Sequence, residues 1–224
     1  MPRLITKAKK WVNKMKKVLL IGDSIADGYQ QFVGEAFQDV AEVLRSESCR
    51  FAQYTLRQIP DWKRTLKAED ADVVHWNTGL WDVAYIQDGE ILTPIEIYEM
   101  YIERICKLLK MQFPKAKFIF ATSTPVIESR YSNAFYRKNE DIIRYNQVAV
   151  KIAKKYGMEI NDLYSLTKNC GEEYYVDATH MYTKQGGELL VDAVIKSIAP
   201  HIGVNAEKLN YKPDYTPPKW FLGV

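Results

Sequence analysis

The sequence predicts an α/β protein: a three-layer α/β/α fold around a central, five-stranded, mostly parallel sheet. Short apolar runs alternate with longer segments of helical periodicity along the 224 residues. Several of these runs are apolar without alternation, as expected of parallel strands that are buried on both faces. Alternating strands and helices with right-handed crossovers give a sheet that is covered by helices on both sides.

Short runs rich in β-branched and aromatic residues predict the five strands. They cover residues 17–22, 49–54, 72–77, 117–123 and 158–161. Apolar residues at helical spacing predict helices over 96–111, 139–155 and 184–198, the last with Thr183 as its N-cap. Catalytic groups in such a fold gather beyond the carboxyl ends of the strands, so polar residues that follow a strand are the candidates for a site.

Composition and charge exclude several classes of function. The net charge is +3, but seven of the 31 basic residues and no acidic residue lie in the first 17 positions, so the remainder carries about −4. The body of the chain therefore has no basic surface for nucleic acid. No apolar run approaches the ~18 residues that span a membrane. Cys49, Cys106 and Cys170 form no C-x-x-C pattern, which favours free thiols in the cytoplasm.

Both ends extend past the predicted domain, which covers residues 17–202. Residues 1–16 are basic, and their thin apolar stripe favours packing on the protein body over a membrane surface. Residues 203–224 hold several prolines and aromatic residues and cannot form a long helix. Ordered ends must be held by packing, so the tail is predicted to act as a clasp on its own domain or as a contact with a partner subunit in a homodimer.

A serine, a histidine and an aspartate form the first candidate site. Ser24 follows the first strand, and Asp177 precedes His180 by three residues. This spacing lets the carboxylate accept a hydrogen bond from Nδ1 while Nε2 faces the serine, which activates a hydroxyl as a nucleophile. His75 lies inside an apolar run and His201 has no acidic residue next to it, which favours His180 as the base. A helix N-cap at Ser24 and a surface contact between Asp177 and His180 stay open as alternatives.

A polar segment after the third strand supplies candidate oxyanion donors. The side-chain amide of Asn77 and the backbone N–H of Ser24 are placed to bind the oxygen of a tetrahedral intermediate. The alternative is that residues 77–79 are only a turn. Trp76 is predicted to lie in the core. The candidate substrate-binding residues are Asp23, Gly79, Trp81, Asp82, Tyr85 and Arg130.

Within that set, Asp82 is a candidate brace for the loop, while Trp81 and Tyr85 are candidates for a wall on which a sugar stacks. A polar, aromatic insert follows the fourth strand and is predicted to cover the alcohol side of a substrate. Its members are Arg130, Tyr131, Tyr136 and Arg137.

Together these motifs resemble those of the SGNH (GDSL-type) esterase and acylhydrolase superfamily. The G-D-S-[LI] motif is matched by residues 22–25, the strand-end G-x-N-D motif loosely by 76–82, and D-x-x-H by 177–180, in the right order. The form of 76–82 is similar to a subgroup of bacterial carbohydrate esterases. The resemblance implies a flavodoxin-like SGNH hydrolase fold. It also implies a serine carboxylic ester hydrolase that acts through an acyl-enzyme. The expected reaction removes a short acyl group, such as acetyl, from a carbohydrate or another small alcohol. It implies neither a metal nor an organic cofactor.

The chain departs from the family pattern after the second predicted strand. Family members usually carry a glycine there, whose N–H is the third oxyanion donor, and residues 49–56 contain none. We expect a backbone N–H near Thr55 to replace it, because any residue except proline supplies one.

Other functions are open to a fold of this class. Residues 22–28 can cradle FMN or a phosphate at a helix N-terminus, although Asp23 and Asp27 repel phosphate. The same two carboxylates can bind Mg²⁺ for phosphoryl transfer, which requires a nearby lysine and leaves Asp177 and His180 unexplained. A non-catalytic member of the fold is disfavoured by the complete set of serine, asparagine, aspartate and histidine. The expected partner is a small-molecule ester.

Overall fold

The computed structural model describes residues 15–209 and 211–223. The strands are β1 Lys16–Ile21, β2 Ala41–Arg45, β3 Val73–Trp76, β4 Lys117–Ala121 and β5 Glu159–Asn161. The α-helices are α1 Ser24–Phe37, α2 Ala52–Thr65, α3 Ile95–Gln112, α4 Asn139–Lys155, α5 Leu163–Thr167, α6 Lys184–Ile198 and α7 Lys219–Leu222. The predicted basic extension lies almost entirely outside the described residues.

The five strands form one parallel sheet in the order β2-β1-β3-β4-β5. Helix α1 packs against α6, while α2 packs against α3 and α3 against α4. The predicted three-layer α/β/α fold is therefore confirmed. None of the helices in the described part of the chain is both long enough and apolar enough to cross a bilayer.

Strands β3 and β4 pack in the core, and polar residues follow them at one edge of the sheet. Every residue of β3 is buried, and the Trp76 ring packs on that of Phe120 with centroids 4.7 Å apart. Trp76 is a core residue, as predicted. Because the strands are parallel, the segments that follow β1, β3 and β4 all begin at the carboxyl edge of the sheet.

The second strand lies at Ala41–Arg45, and the prediction of a strand over 49–54 was wrong. Residues Ala52–Thr65 form α2, which buries Ala52 and Thr55 completely. Strand β2 is one of the two edge strands and has only one buried residue, so its sequence lacks the continuous apolar run of a central strand. The aromatic residues of 49–54 instead pack around the start of a helix, because tertiary contacts override a weak β-propensity.

The C-terminal tail packs on its own domain. Tyr215 is buried and stacks on Phe32, with ring centroids 4.9 Å apart. Its ring also lies against the backbone of α6 at Gly187, where an added Cβ would come within 2.1 Å of the tyrosine. In the described residues the tail is therefore held by contacts within its own chain.

Candidate active site

Ser24, His180 and Asp177 form one hydrogen-bonded chain beyond the carboxyl end of β1. Ser24 is the first residue of α1, and the other two lie in the loop before α6. His180 Nε2 is 2.8 Å from Ser24 Oγ, and Nδ1 is 2.7 Å from Asp177 Oδ2. The fold thus joins a hydroxyl, an imidazole and a carboxylate in the arrangement that lets a histidine take a serine proton.

Asp177 is held in place by more than its contact with the imidazole. Its Oδ1 accepts hydrogen bonds from the backbone N–H groups of Thr179 and His180, each at 2.7 Å. Burial by itself raises the pKa of the Asp177 carboxyl, but hydrogen bonds from the ring and from these two N–H groups hold it below its usual value. The carboxylate therefore stays ionised and fixes the orientation of the ring.

The other two histidines lie away from this chain. His75 is fully buried in β3, where burial lowers its pKa to about 3 and Asn161 Nδ2 lies 3.2 Å from its Nε2. His201 lies 3.1 Å from Glu159, an acidic neighbour that the local sequence does not reveal. Glu159 begins β5, so this pair lies at the opposite edge of the sheet from Ser24.

Arg130 braces the loop that carries Asp177, in place of the predicted contact with substrate. Its guanidinium donates to the carbonyl groups of Tyr175 and Asp177, each at 3.3 Å, and pairs with Glu172 at 2.9 Å. These bonds occupy the donors of Arg130 and point them at the protein. The predicted role of Arg130 in substrate binding is therefore corrected to that of a positioning residue.

Asp23 is also removed from the set of residues that reach substrate. Its side chain is fully buried and caps α1 by accepting from the N–H of Ile25 at 3.0 Å. Burial raises the pKa of this carboxyl, and a hydrogen bond from the side-chain amide of Asn77 opposes the rise. Asp23 is a helix cap because a buried carboxylate needs such donors.

Asn77 lies beside the residues that lead into Ser24. Its backbone N–H donates to the Ile21 carbonyl at 3.0 Å, and its side chain covers Gly22, where an added Cβ would come within 2.2 Å of Oδ1. An asparagine NH₂ group has two N–H donors. A contact with the Asp23 carboxyl uses at most one of them, so at least one donor remains for another acceptor.

Thr55 does not supply the missing oxyanion donor. Its N–H lies inside α2 and donates to the Phe51 carbonyl at 3.0 Å, and the residue is fully buried. Arg50 lies between β2 and α2 with φ at +52°, a left-handed conformation that glycine adopts most easily. Within the described residues no hydrogen bond uses the N–H groups of Arg50 or Ser24, and both residues border the same cavity.

Buried contacts of Gly79 and Asp82 hold the loop that follows β3. Gly79 is buried with φ at +148°, and an added Cβ would lie 2.8 Å from Ser123 Oγ. Asp82 is fully buried and accepts from the Ala52 N–H at 3.0 and 3.2 Å, so it ties this loop to the start of α2. Both residues were predicted to bind substrate, and both are structural: the first makes a close turn and the second is the loop brace.

Only one of the two predicted stacking residues borders the cavity. Trp81 lines it and is 37% exposed. Tyr85 instead stacks on Tyr136, with centroids 4.6 Å apart, and donates to Asp141 at 2.8 Å. Tyr85 therefore anchors the insert to α4, and its predicted contact with a sugar is corrected.

Two residues next to the site make contacts that the sequence did not predict, although Arg137 was expected in the insert over the alcohol side of a substrate. Arg137 is buried, and its guanidinium donates to the Leu80 carbonyl and lies 3.4 Å from Thr179 Oγ1, so it joins the loop of Asn77 to the loop of His180. The Tyr182 ring lies 4.8 Å from that of His180, and its hydroxyl donates to the Ser24 carbonyl. The spacing of two residues from a candidate catalytic histidine is the only local hint for the tyrosine.

A cavity of about 820 Å³ opens at Ser24. Its border includes Asp27, Arg50, Trp81 and Trp220, the last from the C-terminal tail. Asp23 is a buried cap, so it does not form a Mg²⁺ site with Asp27, and no cluster of three potential metal ligands occurs in the described ranges. Ser24 thus lies on the border of a cavity that can admit a ligand.

The fold and the serine-centred site are those of an ester hydrolase, and comparisons with known proteins identify the family. The model of the GDSL-like lipase/acylhydrolase family matches residues 20–183, which include the serine, the asparagine and the aspartate–histidine pair. The chain therefore belongs to this family and is a carboxylic ester hydrolase, as the resemblance to SGNH hydrolases predicted. Among curated proteins, none matches the chain at a significant level.

Solved structures share the fold at low sequence identity. The lipase/acylhydrolase from Enterococcus faecalis is 20% identical over 89% of this chain and 100% of that chain, with a TM-score of 0.66. The acetyl xylan esterase AlAXEase is 18% identical over 81% and 99%, with a TM-score of 0.65. An acetylxylan esterase from Geobacillus stearothermophilus is 18% identical over 85% and 95%, with a TM-score of 0.60.

Proposed function

We propose that this ester hydrolase uses Ser24 as its nucleophile and removes a short acyl group, such as acetyl, from a carbohydrate or another small alcohol. His180 takes the serine proton as Oγ attacks the ester carbonyl, and Asp177 stabilises the imidazolium. His180 then protonates the leaving alcohol, and a water molecule hydrolyses the acyl-enzyme with His180 again as the base. The observation that carries this mechanism is the continuous chain of 2.8 and 2.7 Å contacts.

Three donors are proposed for the oxyanion. The Ser24 N–H lies in the first turn of α1, where backbone donors have no partner within the helix. The free donor of the Asn77 amide is the second, and the Arg50 N–H replaces Thr55 as the third. A well-placed donor of this kind contributes roughly 3–4 kcal/mol to transition-state stabilisation.

The cavity supports a polar, ring-shaped alcohol. Trp81 and Trp220 are 37% and 53% exposed and both border it, whereas Trp62 and Trp76 are buried. Asp27, Gln30 and Gln31 on the same border offer hydrogen-bonding groups to hydroxyls. Two of the structures that share the fold are acetyl xylan esterases, which is consistent with an acetylated sugar.

We propose the cytoplasm as the compartment, because the three cysteines are free thiols. A homodimer is a further hypothesis for which the tail gives no support, because it packs on its own domain. Light scattering on the purified protein measures the oligomeric state directly.

The test of the proposed function is hydrolysis of 4-nitrophenyl acetate by the wild type and by Ser24→Ala. We expect the variant to lose activity by about 10⁴-fold or more, because without the hydroxyl no acyl-enzyme forms. Ser48→Ala is the matched control, since Ser48 borders the same cavity without a contact to His180, and it is expected to keep wild-type activity. Equal activity of Ser24→Ala and the wild type would show that the nucleophile lies elsewhere.

A further inference from the structure

We propose that residues 213–222 form the wall of the alcohol subsite and that Trp220 determines which leaving alcohols the enzyme accepts. This inference rests on the proposed function, in which Ser24 attacks the ester and His180 protonates the leaving group. It adds to that function a specificity-determining residue in a tail that lies beyond the family match at residues 20–183.

The position of the imidazole fixes the side on which the alcohol leaves. The alcohol oxygen receives its proton from His180 Nε2, so it must lie within hydrogen-bond reach of that atom. Three aromatic rings surround the imidazole: Tyr182 with centroids 4.8 Å apart, and Trp220 and Phe221 at 6.0 Å each. Two of the three come from the tail, which therefore borders the space that the alcohol occupies.

Trp220 presents a surface that a ligand can reach. Its side chain is 53% exposed and borders the cavity together with Pro218 and Lys219. An indole combines a flat apolar face with a polar N–H, so it can pack against one face of a ring-shaped alcohol while the hydroxyls of that alcohol stay hydrated or bonded. A small acyclic alcohol does not extend to this face and gains nothing from it.

The remainder of the tail holds Trp220 in place. Helix α7 has four residues, too few to be stable by itself, so its position depends on contacts elsewhere. Tyr215 anchors the segment in the groove between Phe32 and Gly187. Pro217 and Pro218 restrict the backbone between the anchor and the indole.

Asp27 and Trp220 border the same cavity. Burial and the nearby Asp23 carboxyl raise the pKa of Asp27 to about 6, whereas a hydrogen bond from the indole, the charge of His180 and the amide of Gln30 favour the ionised form. Asp27 Oδ1 accepts a hydrogen bond from Gln30 Nε2 at 3.0 Å, which holds the carboxyl on this border.

The opposite wall is built by a different part of the chain. Trp81 lies in the loop that follows Asn77, next to Phe135 and beneath the guanidinium of Arg137, at 5.9 and 5.7 Å. Among the described residues Trp81 makes no ring contact with His180, whereas Trp220 makes one. Trp81→Ala is therefore the comparison variant: it removes the other exposed tryptophan of the same cavity and tests whether the alcohol contacts Trp81 in place of Trp220.

The experiment measures kcat/KM for Trp220→Ala, Trp220→Phe and Trp81→Ala on two substrate series. The first series keeps the acyl group and varies the alcohol: methyl acetate, 4-nitrophenyl acetate and an acetylated methyl glycoside. The second keeps 4-nitrophenol and lengthens the acyl chain from acetate to hexanoate. We expect Trp220→Ala to lower kcat/KM about tenfold for the two ring-shaped alcohols, mainly through KM, and to leave methyl acetate and the acyl-chain preference unchanged. Trp220→Phe should keep most of the wild-type value.

Several outcomes would overturn the inference. They are a changed acyl-chain preference in Trp220→Ala, an equal loss on all substrates including methyl acetate, no loss at all, and a loss of alcohol selectivity in Trp81→Ala alone. The Ser24→Ala assay separates this inference from the proposed function. If Ser24→Ala is inactive while Trp220→Ala shows no effect of the alcohol, only the inference fails; if Ser24→Ala is fully active, the proposed function fails.

Discussion

The floor of the active site, formed by Asp23, Asn77 and Asp82, and its C-terminal wall, formed by residues 213–222, are held by different kinds of contact. On the floor, Asp23 and Asp82 are fully buried, Asn77 is 4% exposed, and all three are fixed by backbone hydrogen bonds. On the wall, Trp220 is 53% exposed and depends on Tyr215, a single buried anchor in the tail. Under the proposed mechanism, the groups for the chemical step lie on rigid elements, while the proposed contact with the variable part of a substrate lies on the periphery.

The strongest test of the floor is Asn77→Ala. Loss of one oxyanion donor is expected to lower kcat by about 10²–10³-fold with little change in KM, because the donor acts on charge that develops in the transition state. Steady-state kinetics on 4-nitrophenyl acetate measures both parameters.

Asn161→Ala is the control for that variant. Asn161 also ends a strand of the sheet, but its amide contacts His75 in place of the site. We expect this change to affect stability and to leave kcat within about twofold of the wild type, because Asn161 does not touch the site. A similar loss of kcat in both variants would assign the effect of Asn77 to folding and would remove it from the oxyanion site.

The buried carboxyl of Asp82 predicts a pH effect on stability. Burial raises its pKa to about 7, well above the value of about 3.9 in an unfolded chain, so the folded state binds the proton more tightly. Its contribution to stability is therefore present below about pH 4 and is lost as the pH rises to about 7. Asp82→Asn should remove up to about 4 kcal/mol of this pH dependence from the free energy of unfolding.

Urea denaturation of the wild type and Asp82→Asn between pH 4 and 8 measures this effect. Asp27, with a pKa of about 6, contributes in the same direction in both proteins and cancels from the comparison. Parallel pH profiles would show that Asp82 does not titrate in this range, and the floor would then be less desolvated than its burial indicates.

The wall is tested by Tyr215→Ala. Removal of the buried ring from the groove at Phe32 and Gly187 should lower the free energy of unfolding by about 2–3 kcal/mol and should raise KM for esters of ring-shaped alcohols, because the tail loses its anchor.

Tyr215→Phe is the control. Its hydroxyl is buried without a partner among the described residues, so this change should be neutral or slightly stabilising. A Tyr215→Ala protein with unchanged KM values would separate the tail from substrate binding.

Local sequence was sufficient for most of the fold. Helices α4 and α6 have the bounds that were predicted, because their apolar residues recur with helical spacing and Thr183 caps α6. Strand β2 was missed, because an edge strand needs no apolar run. The start of helix α2 was mistaken for a strand, because a helix start tolerates aromatic residues.

The sequence by itself determined the class of fold and the four polar residues of the proposed mechanism, Ser24, Asn77, Asp177 and His180, because each follows a strand or lies in a short motif of fixed spacing. Only the tertiary structure decided which neighbours face the cavity. It buried Asp82 against the Ala52 N–H, turned Arg130 toward the loop of Asp177, and brought Trp220 to the imidazole. Such outcomes depend on partners that are 30 to 47 residues apart or in separate elements, and local sequence carries no record of those contacts.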